Sequence, residues 1–328
     1  MHTTAITDLF GIRLPIVAGG LMWLSDARYV AAASRAGIIG FITAASFPDP
    51  ARLRDEIRRC RDLCEGGPFG VNVSMLPKLV PGERTQAVFE LIAEEGVRFV
   101  ETSGRSPEAY LPGLKAAGIK VLHKVPAVRH AVKAQSLGVD AVAIVGAECG
   151  GHPGMDMVGS IVNAAWARGQ LHIPYLIGGG IGCGSQVTAA LAMGAAGVVV
   201  GTRFTVAEEI WAHDDYKRRL VQAQPTDTTL LMHTVRNTVR ALRNGTTDEV
   251  QAIEAAKPDV TIQELLPLVA GRIGRQAYET GDTSRGVLSA GHALAFTDRI
   301  EPLAVIVDRL ATEMQAAARR IAPVPLAA

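Results

Sequence analysis

The sequence predicts an α/β fold, a TIM (β/α)8 barrel with a smaller helical insertion domain after the last strand. Three observations lead there. Eight short apolar runs alternate with helical patterns at a regular pace between residues 15 and 204. Crossovers through a helix require parallel strands, and eight of them suggest that the sheet closes. No Gly-x-Gly-x-x-Gly follows any run, so the runner-up, an open doubly wound sheet, lacks its usual fingerprint.

The first run, Pro15-Ile16-Val17-Ala18, ends in Gly19-Gly20. A small-residue helix over 29–36 leads to a strand over 38–42, and an Arg-rich helix over 50–64 leads to a strand over 69–73. Helices over 84–95, 107–117 and 129–137 alternate with strands over 98–101, 120–123 and 139–145. The last of these is the continuous apolar kind that a strand buried on both faces shows. Helices over 160–168 and 185–193 flank the seventh run, 174–177, which ends in Gly178-Gly179-Gly180. The eighth, 197–200, ends in Gly201-Thr202-Arg203-Phe204. Beyond Phe204 the rhythm changes. The stretches 208–224 and 228–244 read as polar amphipathic helices, and no strand is expected before about Gly286. This puts the barrel at 1–206 and 284–328, with 207–283 a helical insertion covering the active site. A closing helix over 302–321 and a frayed tail over 323–328 complete the chain.

The 328 residues, 48% of them hydrophobic, are ample for one large core. Net charge is +1, from 33 basic and 32 acidic residues, which removes any electrostatic case for nucleic acid or an anionic membrane. Cys60, Cys64, Cys149 and Cys183 show no zinc spacing, so no metal site is expected. A disulfide framework would be odd in a chain this long, and a reducing cytoplasm fits best. No leader pattern opens the sequence and no apolar run is long enough to span a bilayer.

In such a barrel the chemistry lies just past the C-terminal end of each strand. The residues there are Gly20, Leu21 and Met22; Ser74; His123 and Lys124; Gly150, Gly151 and His152; Gly179 and Gly180; and Gly201 and Thr202. Richest among them is Gly146-Ala147-Glu148-Cys149-Gly150-Gly151-His152-Pro153-Gly154. Its glycines let backbone approach a flat or charged ligand, and His152 carries a side chain able to take a proton near neutral pH. Glycines ending runs seven and eight suggest an anion site built from backbone N–H groups and the N-terminus of a short helix. Lys124 suits either a Schiff base, as in a barrel lyase, or a charge facing a cofactor. A non-catalytic binding barrel is the remaining alternative.

Taken together and in order, these motifs resemble the nitronate monooxygenase family, flavoenzymes also called 2-nitropropane dioxygenases. The resemblance runs through Pro15 to Gly20, Phe69-Gly70-Val71-Asn72, His123-Lys124, Glu148 to Gly154, Gly178-Gly179-Gly180-Ile181, and Met193 to Phe204. It implies a barrel that binds FMN non-covalently through Gly20, Leu21, Met22, Ser74, Lys124, Gly150, Gly151, Gly179, Gly180, Gly201 and Thr202. Gly179, Gly180, Gly201 and Thr202 would cradle the phosphate, and Lys124 would face the flavin ring. His152 would be the catalytic residue, a base toward neutral nitroalkanes or a hydrogen-bond donor to a bound nitronate. Alkyl nitronates such as propionate-3-nitronate would be oxidised with O2, the nitronate giving one electron to the flavin. Met22, Ser289 and His292 would line the substrate pocket.

A second resemblance is to the NADH:quinone reductase branch of the same superfamily. It rests on the stretch from Met232 to Asn244 and on Ser74-Met75-Leu76-Pro77. There NADH replaces the nitronate as reductant and a quinone accepts the electrons. Arg236, Arg240 and Arg243 then read either as one solvated helix face or as receivers of a dinucleotide phosphate. An enoyl-thioester reductase is a further option within the superfamily. Ala18 stands where relatives often carry glutamine, Cys183 where aspartate is frequent, Leu288 where tryptophan is common, and His292 where glutamine or methionine is usual. Oligomeric state stays open, a homodimer among the options.

Overall fold

Strands buried on both faces leave no edge to water, and closing the sheet is one way to pair every backbone group. In the computed structural model, which describes residues 3–75 and 83–321, the sheet closes. Four strands, β1 (Ile16–Ala18), β2 (Ile39–Thr43), β3 (Gly70–Met75) and β4 (Phe99–Gly104), make one half. The other half is β5 (Lys120–Val125), β6 (Ala141–Val145), β7 (Tyr175–Gly178) and β8 (Gly197–Val200). All run parallel, and β1 completes the ring by pairing Ile16 with Val198 of β8. This is the expected TIM barrel.

A short helix, α1 (Ala5–Phe10), precedes the barrel. Successive strands are joined by α2 (Ala27–Arg35), α3 (Pro50–Cys64), α4 (Thr85–Glu94), α5 (Leu111–Ala116), α6 (Val128–Leu137), α7 (Ser160–Ala167) and α8 (Gly184–Ala192). Alternate side chains on each strand point inward. Val17, Ile39, Phe41, Phe99, Leu122 and Leu176 fill the interior, while Val71, Val100, Val121 and Val142 face the helices. The interior is a packed core rather than a pore. From α1, Ile6 and Phe10 reach into this same apolar cluster. Phe10 meets Phe99 edge-on at 5.2 Å between centroids and Phe41 at 6.1 Å. Burying such a ring contributes about 1.5–3 kcal/mol.

After β8 come α9 (Asp214–Gln222), β9 (Thr228–Leu231), β10 (Val239–Leu242), α10 (Gly245–Ala256), α11 (Ile262–Val269) and α12 (Gly271–Thr280). The final helix, α13 (Leu303–Ile321), packs against α8 and α2 and fills the eighth helical place around the barrel. The stretch 228–244 corrects the sequence expectation. It is an antiparallel hairpin, with Leu231 opposite Val239 and Thr228 opposite Leu242, where a helix was expected. The arginines at 236, 240 and 243 imitate a helical stripe. Thr228, Thr229 and Val239 are β-branched, however, and pairing with segments far away in sequence overrides the local pattern. Leu76, Pro77 and the tail 323–328 lie outside the described residues.

Candidate active site

The inward parity that buries Phe99 and Leu122 brings Asn72, Glu101 and Lys124 inward one step nearer the C-terminal mouth. Glu101 is fully buried. Its carboxylate accepts hydrogen bonds from Asn72 Nδ2 at 2.5 Å, Lys124 Nζ at 3.2 Å and the Gly20 amide at 3.2 Å. One carboxylate therefore ties together the ends of β1, β3 and β5, and its burial is offset by a cation and two further donors. Ser74 Oγ donates to Asn72 Oδ1 at 3.2 Å and meets Ser103 Oγ at 3.0 Å. Lys124 is thereby a positive charge pinned at the mouth. Glu101 and Asn72 are absent from the set collected past the strand ends, because they lie inside their runs. Polar residues at inward positions of otherwise apolar strands are the signal that points to them.

His123, collected with Lys124, has the opposite parity. Its Nδ1 lies 2.8 Å from Thr102 Oγ1 on the outer face of the barrel, and burial lowers its pKa to about 4. It takes no part in the mouth.

The loop that follows β6 is braced from three sides. Glu148 accepts from the Ser160 amide at 3.0 Å and from Ser160 Oγ at 2.9 Å. Its backbone oxygen takes the His292 amide at 2.9 Å. Gly151, at φ +79°, exchanges both backbone hydrogen bonds with Arg240 of β10, at 2.7 and 3.0 Å. Arg240 also sends Nε and Nη2 to the Ala147 oxygen, at 3.2 and 3.0 Å, and Nη1 to Thr228 Oγ1 at 3.3 Å. It is buried, so the expected solvated arginine face is corrected here. Arg240→Ala is expected to lower stability by about 1.5–3 kcal/mol, the range for hydrogen bonds to a charged group. Chemical denaturation checks this, and an unchanged midpoint would show that the guanidinium braces nothing.

So held, the loop presents His152 at the mouth, crowded by protein atoms but reachable from solvent. Loss of hydration among the surrounding protein atoms, and then the Lys124 charge, hold its pKa below the ordinary imidazole value. His152 is accordingly neutral at neutral pH and able to accept a proton. Cys149 beside it is buried and pushed up to about 12, which leaves it an inert packing residue.

On the far side, Gly179 and Gly180 lie at φ +99° and +73°. A side chain at Gly179 would stand 2.9 Å from Ser160 Oγ, and one at Gly180 would stand 3.0 Å from Glu148 Cβ. Gly201 has open space where its side chain would be, the nearest atom being Leu21 Cδ2 at 3.7 Å. Thr202 Oγ1 accepts the Gly291 amide at 3.0 Å. The N-terminus of α8, expected to help bind an anion, has no free amide at Gly182, Cys183 or Gly184 to offer. There Gln186 takes the amides of Gly182 and Cys183, at 2.8 and 3.2 Å, and Glu313 takes that of Gly184 at 2.7 Å. What remains facing the mouth is bare backbone at Gly179–Gly180 and Gly201–Thr202. Gly151 is similarly bare, with Ser289 Oγ 3.8 Å from where its Cβ would stand.

A flat group with an anionic tail fits this arrangement. Backbone without side chains borders the mouth after β6, β7 and β8, and the Lys124 ammonium at the end of the neighbouring β5 supplies a positive charge. Of the three substrate-pocket residues, Met22 and Ser289 are exposed and Ser289 borders Gly151. His292 is half-buried on the far side of the loop, with its pKa lowered by burial and by Arg240. A cavity of about 470 Å³ between Arg13, Leu14 and α13 lies beside the N-terminal end of β1, away from these residues.

A family model described as nitronate monooxygenase matches residues 3–313. A 5-hydroxy-7a-methyl-1-oxo-octahydro-1H-indene-4-carboxyl-CoA dehydrogenase of Rhodococcus jostii is 33% identical over 227 residues, covering 69% of this chain. The match spans 62% of that relative's length. A probable nitronate monooxygenase of Staphylococcus aureus is 26% identical over 321 residues, covering 84% of this chain and 88% of its own. Among solved structures, FabK from Thermotoga maritima superposes with a TM-score of 0.90 at 30% identity, covering 98% of this chain and 99% of that one. A nitroalkane oxidase from Streptomyces ansochromogenes has a TM-score of 0.81 at 26% identity, covering 97% of this chain and 100% of that one.

Proposed function

The chain belongs to the nitronate monooxygenase family, and from that premise we propose that it oxidises alkyl nitronates with O2, using non-covalently bound FMN. The observation that carries this reading is the placement of His152 on a loop clamped by β10 at the same barrel mouth where Glu101 pins Lys124. FMN, when bound, supplies the electron acceptor. Gly20, Leu21, Met22, Ser74, Gly150 and Gly151 would border its ring, and Gly179, Gly180, Gly201 and Thr202 would take its phosphate. Lys124, fixed by Glu101, would set a positive charge beside the ring. Its amine is engaged by a buried carboxylate, which suits a fixed charge better than a Schiff-base nucleophile.

With a neutral nitroalkane, His152 would remove the proton on the carbon beside the nitro group. That carbon is acidic enough for a base whose pKa lies near the operating pH. With a preformed nitronate the same ring would hold the anion by hydrogen bonding. The elements of 207–283 would act as a cap, since β10 already pairs with the His152 loop. Among the described residues no helix is long and apolar enough to cross a membrane.

Anaerobic mixing with propionate-3-nitronate and, separately, with NADH tests the reading. Rapid loss of the flavin absorbance with the nitronate, and little with NADH, is the expected result. Rapid bleaching by NADH without nitronate turnover would overturn it in favour of an NADH:quinone reductase. A second reading, a reductase or dehydrogenase of a thioester, is favoured by one observation: the relative at 33% identity is named for a CoA-linked substrate.

A further inference from the structure

Beside the mouth lies a crevice of about 340 Å³ that nitronate chemistry does not need. We propose that it binds the pyrophosphate of a nucleotide-linked ligand whose other end reaches His152 and Lys124. This goes beyond nitronate oxidation and rests on the second reading only for the name of the ligand.

The crevice is lined by Pro126, Arg129, His130, Gly154, Met155, Asp156 and Arg236. Pro126 is two residues past Lys124 and Gly154 two past His152, so one pair of loops carries both the crevice and the chemistry. A ligand seated there has only a short reach to the mouth. The volume is of the size that takes a nucleotide fragment, and far more than a nitro or carboxylate group would fill.

Its charge suits phosphate. Arg129 faces it while bound to Asp156. His130 has its pKa lowered by burial and by Arg129, so it is a neutral hydrogen-bonding group. Pro126 and Arg129 belong to the entry of α6, whose N-cap, Ala127, offers no capping side chain to the first-turn amides. Arg236 has no ion-pair partner among the described residues. Of the three arginines between Met232 and Asn244, Arg240 is buried against Ala147, and Arg243 follows β10 at its other end. Arg236 alone of them lines the crevice. Its backbone stands at φ +54°, a conformation unfavourable for a side chain with a Cβ. The hairpin turn that imposes this is closed by the Arg236 amide on the His233 oxygen, at 3.0 Å, and by the Asn237 amide on the Met232 oxygen, at 3.1 Å. An arginine unpaired among the described residues, lining a cavity that a second, Asp156-paired arginine also lines, is suited to bidentate phosphate recognition. NADH and coenzyme A both carry an adenosine pyrophosphate, and either would present the required chemistry.

Titration calorimetry on the flavin-loaded protein tests this with NADH and with coenzyme A as separate probes. Pantetheine and reduced nicotinamide mononucleotide, which lack the pyrophosphate, serve as controls. At least one full-length probe is expected to bind, and Arg236→Ala to weaken it about tenfold or more, the loss of one charge-assisted contact. Asp156→Asn should tighten the same probe by freeing Arg129, and Arg236→Ala should leave the matching control unmoved. The probe that responds names the source of the pyrophosphate. Binding of neither probe, equal affinity with and without Arg236, or an equal loss for probe and control would each overturn the proposal. Because the readout is binding, its failure leaves nitronate oxidation standing, and failure of nitronate turnover leaves the crevice standing.

Discussion

His152→Ala is expected to cut kcat/KM for a neutral nitroalkane by about two to four orders of magnitude, the usual contribution of a positioned general base. The flavin should stay bound, because the proposed phosphate cradle, Gly179, Gly180, Gly201 and Thr202, stands on the loops after β7 and β8 and does not include the imidazole. Turnover of a preformed nitronate should suffer less, since its proton is already gone. Equal losses on the two substrates would remove the base role and leave only a hydrogen-bonding one. The pH profile carries a second signature. Loss of hydration among neighbouring protein atoms and then the Lys124 charge oppose protonation of the ring, so its folded pKa is depressed. The active base form therefore persists as pH falls through the ordinary imidazole range. The acid limb for the neutral substrate should lie below that range, and it should vanish in His152→Ala. A limb at or above the ordinary imidazole value would show that another group is titrating.

Glu101→Ala should be the most damaging single change at the site for stability. It deletes a fully buried carboxylate and strands the Lys124 ammonium and the Asn72 amide without their acceptor. Removing one partner of a buried ion pair costs about 3–5 kcal/mol, a large share of the roughly 5–15 kcal/mol that stabilises a typical domain. Glu101→Gln keeps the shape and one acceptor oxygen but loses the charge, and should fall between wild type and alanine. Denaturant midpoints measure the stability loss, and flavin content of the purified variants reports whether the proposed flavin site survives it. A Glu101→Ala midpoint within error of wild type would mean that Lys124 finds water or another anion, and that Glu101 does not anchor the mouth.

Much of the site could be read directly from residue types. Gly150, Gly151, His152, Gly179, Gly180 and Gly201 stand just past apolar runs, where a barrel gathers its chemistry, and glycine marks close backbone approach whatever the surroundings. Asn72 and Glu101 were less legible because their meaning depends on parity. A polar residue inside a strand reads as surface or interior only once the register of the neighbouring strands is known. His123 shows the reverse error: adjacent to Lys124 in sequence, it faces the other side of the sheet. Arg240 misled most. Its spacing from Arg236 and Arg243 imitates a helical stripe, yet it is buried in a hairpin and holds the loop that carries His152.

The sequence by itself determined the barrel, because eight apolar runs separated by helices leave few other ways to bury that much surface with parallel strands. It also marked which loops past the strands present backbone without side chains, since only glycine carries that information residue by residue. The tertiary structure alone decided that one buried carboxylate pins Lys124, that Glu313 of α13 takes the Gly184 amide at the start of α8, and that β10 clamps the His152 loop. Each of these is a pairing between segments far apart in the chain. No local periodicity encodes such a partner; it exists only once the barrel has closed and brought the segments to hydrogen-bonding distance.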